Sequence, residues 1–217
     1  MSVIPLQREI EYPDSDGRPM AESDVHRREM VYLIQALQRW YGGDPDVYVA
    51  GNLLVYYVEG DPRFSVAPDV FVVKGVPSRD RDVYKLWEEG HPPSLVIEVT
   101  SNSTRHEDLR NKKDLYEQLG VEEYFLHDPR KEHLTPPLQG FRLVDGKYRP
   151  IETSPAGELS SRVTGLSLRR KGGRLRLVDP ATGKVLPGFE EMDEQAQALE
   201  EEVERLQKEL RKRREDG

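Results

Sequence analysis

The sequence predicts a mixed α/β domain with a C-terminal β extension and a C-terminal coiled-coil helix. Three observations predict it. Apolar residues recur at helical spacing over two segments, 24–41 and 105–119. Short runs of β-branched and aromatic residues lie between and after them. From residue 190 onward a heptad repeat takes over.

Residues 1–21 read as an extended lead-in with turn chemistry at PDSDGRP. Ser23 or Asp24 is placed to cap a helix to about Tyr41, with Met30, Leu33, Ile34, Leu37, Trp40 and Tyr41 on its apolar face. Gly42-Gly43-Asp44-Pro45 ends it. Strand-like runs follow at 47–58, 69–73 and 94–99, with a loop or short helix around 83–89. A second helix fits 105–119 and stops at Gly120, and the run EYFLHD at 123–128 is closed by Pro129. Past Pro136-Pro137, GFRLVDGKYRPIE carries an Asp-Gly hairpin turn, and LSLRRKGGRLRLVD carries a Gly-Gly turn. Met192, Ala196, Leu199, Val203, Leu206 and Leu210 are spaced 4, 3, 4, 3 and 4 residues apart. That stripe predicts a self-associating coiled coil, against the alternative of a helix packed on its own body. The expected division is a domain over 1–188 and a coiled-coil helix over 189–217.

The chain has 217 residues, enough for one domain that buries a core without staples. It has no cysteine, which excludes disulfides, zinc-thiolate sites and cysteine nucleophiles and makes a reducing cytoplasm the expected location. No apolar run approaches the roughly 18 residues of a membrane span. The N-terminus lacks a basic region ahead of an apolar stretch, so no secretory signal is expected. Net charge is −8, which argues against a basic nucleic-acid coat protein. The tail from Glu190 holds 11 acidic and 6 basic residues, so it carries −5 and leaves the body only −3.

Glu98 sits inside the apolar run LVIEV, where a carboxylate is costly unless paired or bound to a cation. A salt-bridged strand-end acid is the plainer alternative. Asp69 opens DVFVV directly after Pro68, and it gains weight only from a second acid on a neighbouring strand. On the second helix, Lys112 falls within the stripe of Leu109, Tyr116 and Leu119, whereas Lys113 falls off its edge. Lys112 is therefore expected to face the sheet and seek an acid or a phosphate, unless its stem merely covers the core. Asp108 and Tyr116 share that face as supporting candidates. On the first helix, His26 lies in the apolar face and Glu29 on its border. Both are candidates for a supporting role, with a hydrogen-bonded core residue as the alternative. Arg169, Arg170, Lys171, Arg174 and Arg176 form a basic stretch that either meets phosphates or is a solvated hairpin surface. ATGK at 181–184 lacks the leading glycine of a P-loop, no G-x-S-x-G elbow occurs, and the five histidines lack zinc spacing.

Pro68-Asp69 followed by Glu98-Val99-Thr100 resembles the PD-(D/E)XK nuclease pattern. Thr100 occupies the usual lysine position, and Lys112 looks like the relocated lysine of some branches. More closely, LVIEVTSNSTRHEDLRNKKDLYEQLGVEEYFLHDP resembles the Uma-type family of bacterial restriction-endonuclease-like proteins, and GLSLRRKGGRLRLVDPATGKVL its usual β tail. The likeness spans roughly residues 22–188. It implies a restriction-endonuclease-like mixed sheet flanked by helices, and Mg²⁺ or Mn²⁺ held by Asp69, Glu98 and the Val99 carbonyl. It further implies phosphodiester cleavage, without naming a substrate; the first expectation is an endonuclease that acts on DNA as a homo-oligomer, with RNA not separated from DNA. Two acids beside Lys112 favour its charged form, so its expected role is electrostatic. The competing expectation is an inactive nuclease fold that binds nucleic acid or protein, favoured by Thr100, the acidic body and the coiled-coil tail.

Overall fold

The computed structural model describes residues 10–15, 17, 23–100 and 107–215. Helix α1 (Asp24–Tyr41) begins where the Ser23 hydroxyl accepts from the His26 N–H, 3.2 Å away, and ends at Gly42 in the left-handed region. Then come β1 (Val47–Ala50), β2 (Val55–Tyr56), β3 (Ser65–Val66), β4 (Val70–Lys74), β5 (Tyr84–Lys85), α2 (Leu86–Glu89) and β6 (Leu95–Val99). Helix α3 (Glu107–Leu119) leads into β7 (Glu123–His127), β8 (Leu138–Val144) and β9 (Lys147–Pro150). The chain closes with β10 (Glu158–Ser160), β11 (Ser167–Lys171), β12 (Arg174–Val178) and α4 (Phe189–Glu215).

The central sheet runs β1-β4-β6-β7-β8-β9. Within this sheet only β6 and β7 pair in parallel, and α3 makes the crossover between them. Strands β4, β6 and β7 are buried on both faces, as their near-continuous apolar runs require. One face receives Met30, Leu33 and Leu37 of α1 together with Leu168, Leu175 and Leu177 of the β10-β11-β12 sheet. The opposite face receives Tyr116 of α3 and Val55, Val66 and Tyr84 of the small β3-β2-β5 sheet. The C-terminal hairpin thus seals the core under α1; at about 25 cal/mol per Å² of apolar surface, each of its buried leucines contributes about 1.5–3 kcal/mol.

Both hairpin turns form at the expected residues. Asp145 and Gly146 adopt positive φ (51° and 73°), and Gly172 and Gly173 do the same (58° and 83°). The run 47–58 is not one strand. It breaks after Ala50, because Gly51 lies against the Asp69 backbone and Asn52 turns left-handed at φ 53°, sending β2 into the small sheet. In α4, Glu191 accepts from the Gly188 N–H at the helix start and meets Arg176, so the first turn is tied to the body. Beyond it, Ala196, Leu199, Val203 and Leu206 are all exposed or only partly covered rather than packed on the body. Among the described residues no helix is long and apolar enough to cross a membrane.

Candidate active site

The antiparallel register pairs Val70 with Ile97 and Phe71 with Val96. Asp69 comes directly before β4, level with the end of β6, and the Glu98 side chain turns to the α3 face. Asp69 is set by its backbone. A Cβ on Gly51 would lie 2.2 Å from the Asp69 carbonyl oxygen, so only glycine admits this approach. The carboxylate is then oriented by the Val99 N–H, which donates to Oδ2 at 2.7 Å. From α1, His26 Nε2 reaches Oδ1 at 3.2 Å.

Glu98 is only 5% exposed. Lys112 Nζ donates to both its oxygens at 3.1 and 3.0 Å, and the Tyr116 hydroxyl donates to Oε1 at 2.7 Å. Lys112 Nζ also donates to the Ala67 carbonyl at 3.3 Å. Burial pushes the Glu98 carboxyl up to about 7; Lys112 opposes the rise, the Asp69 charge adds to it, and the Tyr116 hydrogen bond opposes it. Burial, with the Glu98 charge beside it, pushes the Tyr116 hydroxyl well above its ordinary range. The centre therefore gathers an acid from the start of β4, an acid from β6 and an amine and a phenol from α3.

The Uma2 family model, described as a putative restriction endonuclease, matches residues 4–171. The chain belongs to this family. A crystal structure of a putative nuclease belonging to DUF820, from Anabaena variabilis ATCC 29413, is similar at 14% identity with a TM-score of 0.51. The likeness covers 67% of this chain and 76% of that one and shows a shared fold. No match was found among curated proteins.

Within this Uma2 chain the expected residues divide into two groups. Asp69, Glu98, Lys112, Tyr116 and His26 converge, and the Val99 N–H joins them while its side chain lies in the core. Lys113, by contrast, lies over the Phe141 ring at 3.7 Å, as its position off the stripe predicts. Glu29 is not brought to the centre. It turns to β12, where its Oε2 accepts from the Leu175 N–H at 2.7 Å, with Arg174 at 3.5 Å and His127 at 3.6 Å. It is a buried core acid whose pKa burial raises, with the Leu175 N–H and the arginines pulling it back down. The Asp108 side chain lies outside the described residues.

The basic stretch is largely engaged within the chain. Arg169 pairs with Glu158, Arg174 with Glu29 and Arg176 with Glu191. Arg170 donates to the Asp128 and Pro129 carbonyls. Lys171 is exposed. Thr100, in the usual lysine position, is buried and donates to the His127 carbonyl at 3.4 Å, so it offers no charge to the centre.

Two contributors escaped the sequence reading. Gly51 has no periodicity that marks it, and its role rests on a contact with a strand 18 positions away. Asp128 sits in HDP after a strand, a pattern that favours a side-chain-capped turn, and that signal was readable.

Proposed function

We propose that this chain is a metal-dependent endonuclease that hydrolyses DNA, with Asp69, Glu98 and Lys112 as its catalytic residues. One observation carries the reading: two carboxylates and one amine, distant along the chain, meet at the end of the central strands. Family membership and the nuclease-like fold support the reaction class.

The cation is supported by the donor set. Among the described residues no group of three or more histidines and acids is clustered to hold a metal. Two side-by-side carboxylates, one raised in pKa partly by the other, nonetheless form a site that a hard divalent cation would relieve. Asp69 and Glu98 would hold it, with the Val99 carbonyl as a third oxygen and water completing the shell, as Mg²⁺ usually requires. When bound, such a cation lowers the pKa of a water and withdraws charge from phosphate oxygens.

The protein's own groups have distinct tasks. The Val99 N–H and His26 hold the Asp69 carboxylate in one orientation. Tyr116 fixes Oε1 of Glu98. Lys112 brings a positive charge beside the buried Glu98 carboxylate, where it would stabilise the charge that builds on the phosphate during attack.

The test is cleavage of plasmid DNA with Mg²⁺ or Mn²⁺. Asp69→Ala and Glu98→Ala are expected to abolish nicking, and Lys112→Ala to slow it roughly 10²–10³-fold. Wild-type activity in all three variants would discard the assignment. A second reading, a binding module on the same fold, is favoured by one feature: Lys112 and Tyr116 already occupy both Glu98 oxygens. Calorimetry separates the two, since the binding module takes up no Mn²⁺ at millimolar concentration.

A further inference from the structure

The loop leaving β7 is held by a set of hydrogen bonds centred on Asp128. The Asp128 carboxylate is fully buried and accepts from four backbone N–H groups. Those of Arg130 and Lys131 reach Oδ1 at 3.1 and 2.9 Å, and those of His133 and Leu134 reach Oδ2 at 2.6 and 2.9 Å. Burial alone raises such a carboxyl, yet the four donors outweigh it and hold the pKa below the ordinary value. Arg170 braces the loop from β11, donating to the Pro129 carbonyl at 2.7 Å. The glycine turn between β11 and β12 presses on the same point: a Cβ on Gly173 would lie 3.1 Å from the Pro129 oxygen.

This framework displays cations. Arg130 and Lys131 are exposed on the loop, and Lys171 is exposed where the adjoining turn begins. None of the three has an acidic partner among the described residues. Glu132 is the loop's one exposed acid, and its carboxylate lies 3.7 Å from His133. A cavity of about 30 Å³ is lined by Arg130 and His133 of the loop together with Thr100 and His26, the histidine that reaches Asp69. The loop also follows the carboxyl end of β7 in the parallel pair of the central sheet, β6 and β7, where α/β sheets place their ligands.

Resting on the nuclease reading above, we infer that Arg130, Lys131 and Lys171 form the rim that grips the DNA backbone phosphates beside the reacting bond. Pre-ordering explains the buried Asp128. Cations carried on a backbone pinned before binding lose less freedom when they meet phosphates than cations on a floppy loop.

The experiment uses the full chain, a short DNA duplex and Ca²⁺ in place of Mg²⁺ to allow binding without cleavage. Wild type is compared with the triple variant Arg130→Gln/Lys131→Gln/Lys171→Gln and with Arg149→Gln on β9, at the far edge of the sheet. The triple variant is expected to bind at least tenfold more weakly at moderate salt. Its dependence of log K on log salt should be shallower by roughly two to three, since each lost phosphate contact removes about 0.9. With Mg²⁺ its KM should rise while kcat at saturating DNA is kept. Arg149→Gln should match wild type. An unchanged salt slope in the triple variant, or an equal loss in Arg149→Gln, overturns the inference while the nuclease reading stands. A wild-type chain that neither binds nor cleaves DNA overturns both.

Discussion

Glu98 meets Lys112 and Tyr116 through three hydrogen bonds, yet burial and the neighbouring Asp69 charge still lift its carboxyl to about 7. A cation entering beside it competes with a proton. The sign follows directly: below about pH 7 the proton must leave before the metal binds, whereas above it the site is already ionised. Mn²⁺ affinity should therefore weaken toward tenfold per pH unit below 7 and level off above it, with proton release visible in calorimetry run in two buffers. Tyr116→Phe removes a bond that favours the carboxylate, so the midpoint should move to higher pH. A flat affinity from pH 5.5 to 8 would contradict this account. At this scale Lys112 was legible because helical spacing gives a side chain's angle to within a residue, and Lys112 and Lys113 differ by a full step around the helix. Glu29 was not, because the same spacing gives an angle and no partner. Its partner, the Leu175 N–H, lies 146 residues away.

The elements decide where those side chains stand. Gly51 closes β1 against the start of β4, and through that contact it fixes the height at which Asp69 meets Glu98. Gly51→Ala would force a methyl onto a carbonyl oxygen that has no room to retreat. It should cost about 1–3 kcal/mol in urea unfolding. Cleavage should fall more than the stability loss alone predicts, because Asp69 must move. Full activity in a destabilised Gly51→Ala protein would mean that the Asp69 position does not matter. The two hairpins were readable from Asp-Gly and Gly-Gly, since few residues accept positive φ. The division of 47–58 between two sheets was not, because apolar content continues across the break and only the left-handed Asn52 betrays it. The two-residue strands β2, β3 and β5 are too short to leave any period in the sequence.

Across the whole molecule, the family likeness covers the central sheet, while α4 lies beyond the matched residues. Its apolar stripe follows the heptad spacing, yet Leu199 is 65% exposed and Val203 and Leu206 stay largely uncovered. Three heptads are marginal alone, so we propose that a second copy covers them. Self-association should then rise with concentration in analytical ultracentrifugation. Leu199→Glu/Val203→Glu should leave a monomer with unchanged thermal stability, since neither side chain serves the body's core. Monomeric wild type at tens of micromolar would argue against the pairing. Fold class was legible because the apolar periods switch cleanly between helix and strand. The cover that β12 gives α1 was not, because it joins segments from opposite ends of the chain.

On the reading proposed above, Asp69 and Glu98 hold one cation beside Lys112. Crystals soaked in Mn²⁺ and measured at its absorption edge test this most directly. One anomalous peak bonded to both carboxylates is expected, with the Lys112 amine displaced from at least one Glu98 oxygen yet still adjacent. Full loading elsewhere in the molecule, with the Lys112–Glu98 pair intact, would contradict it.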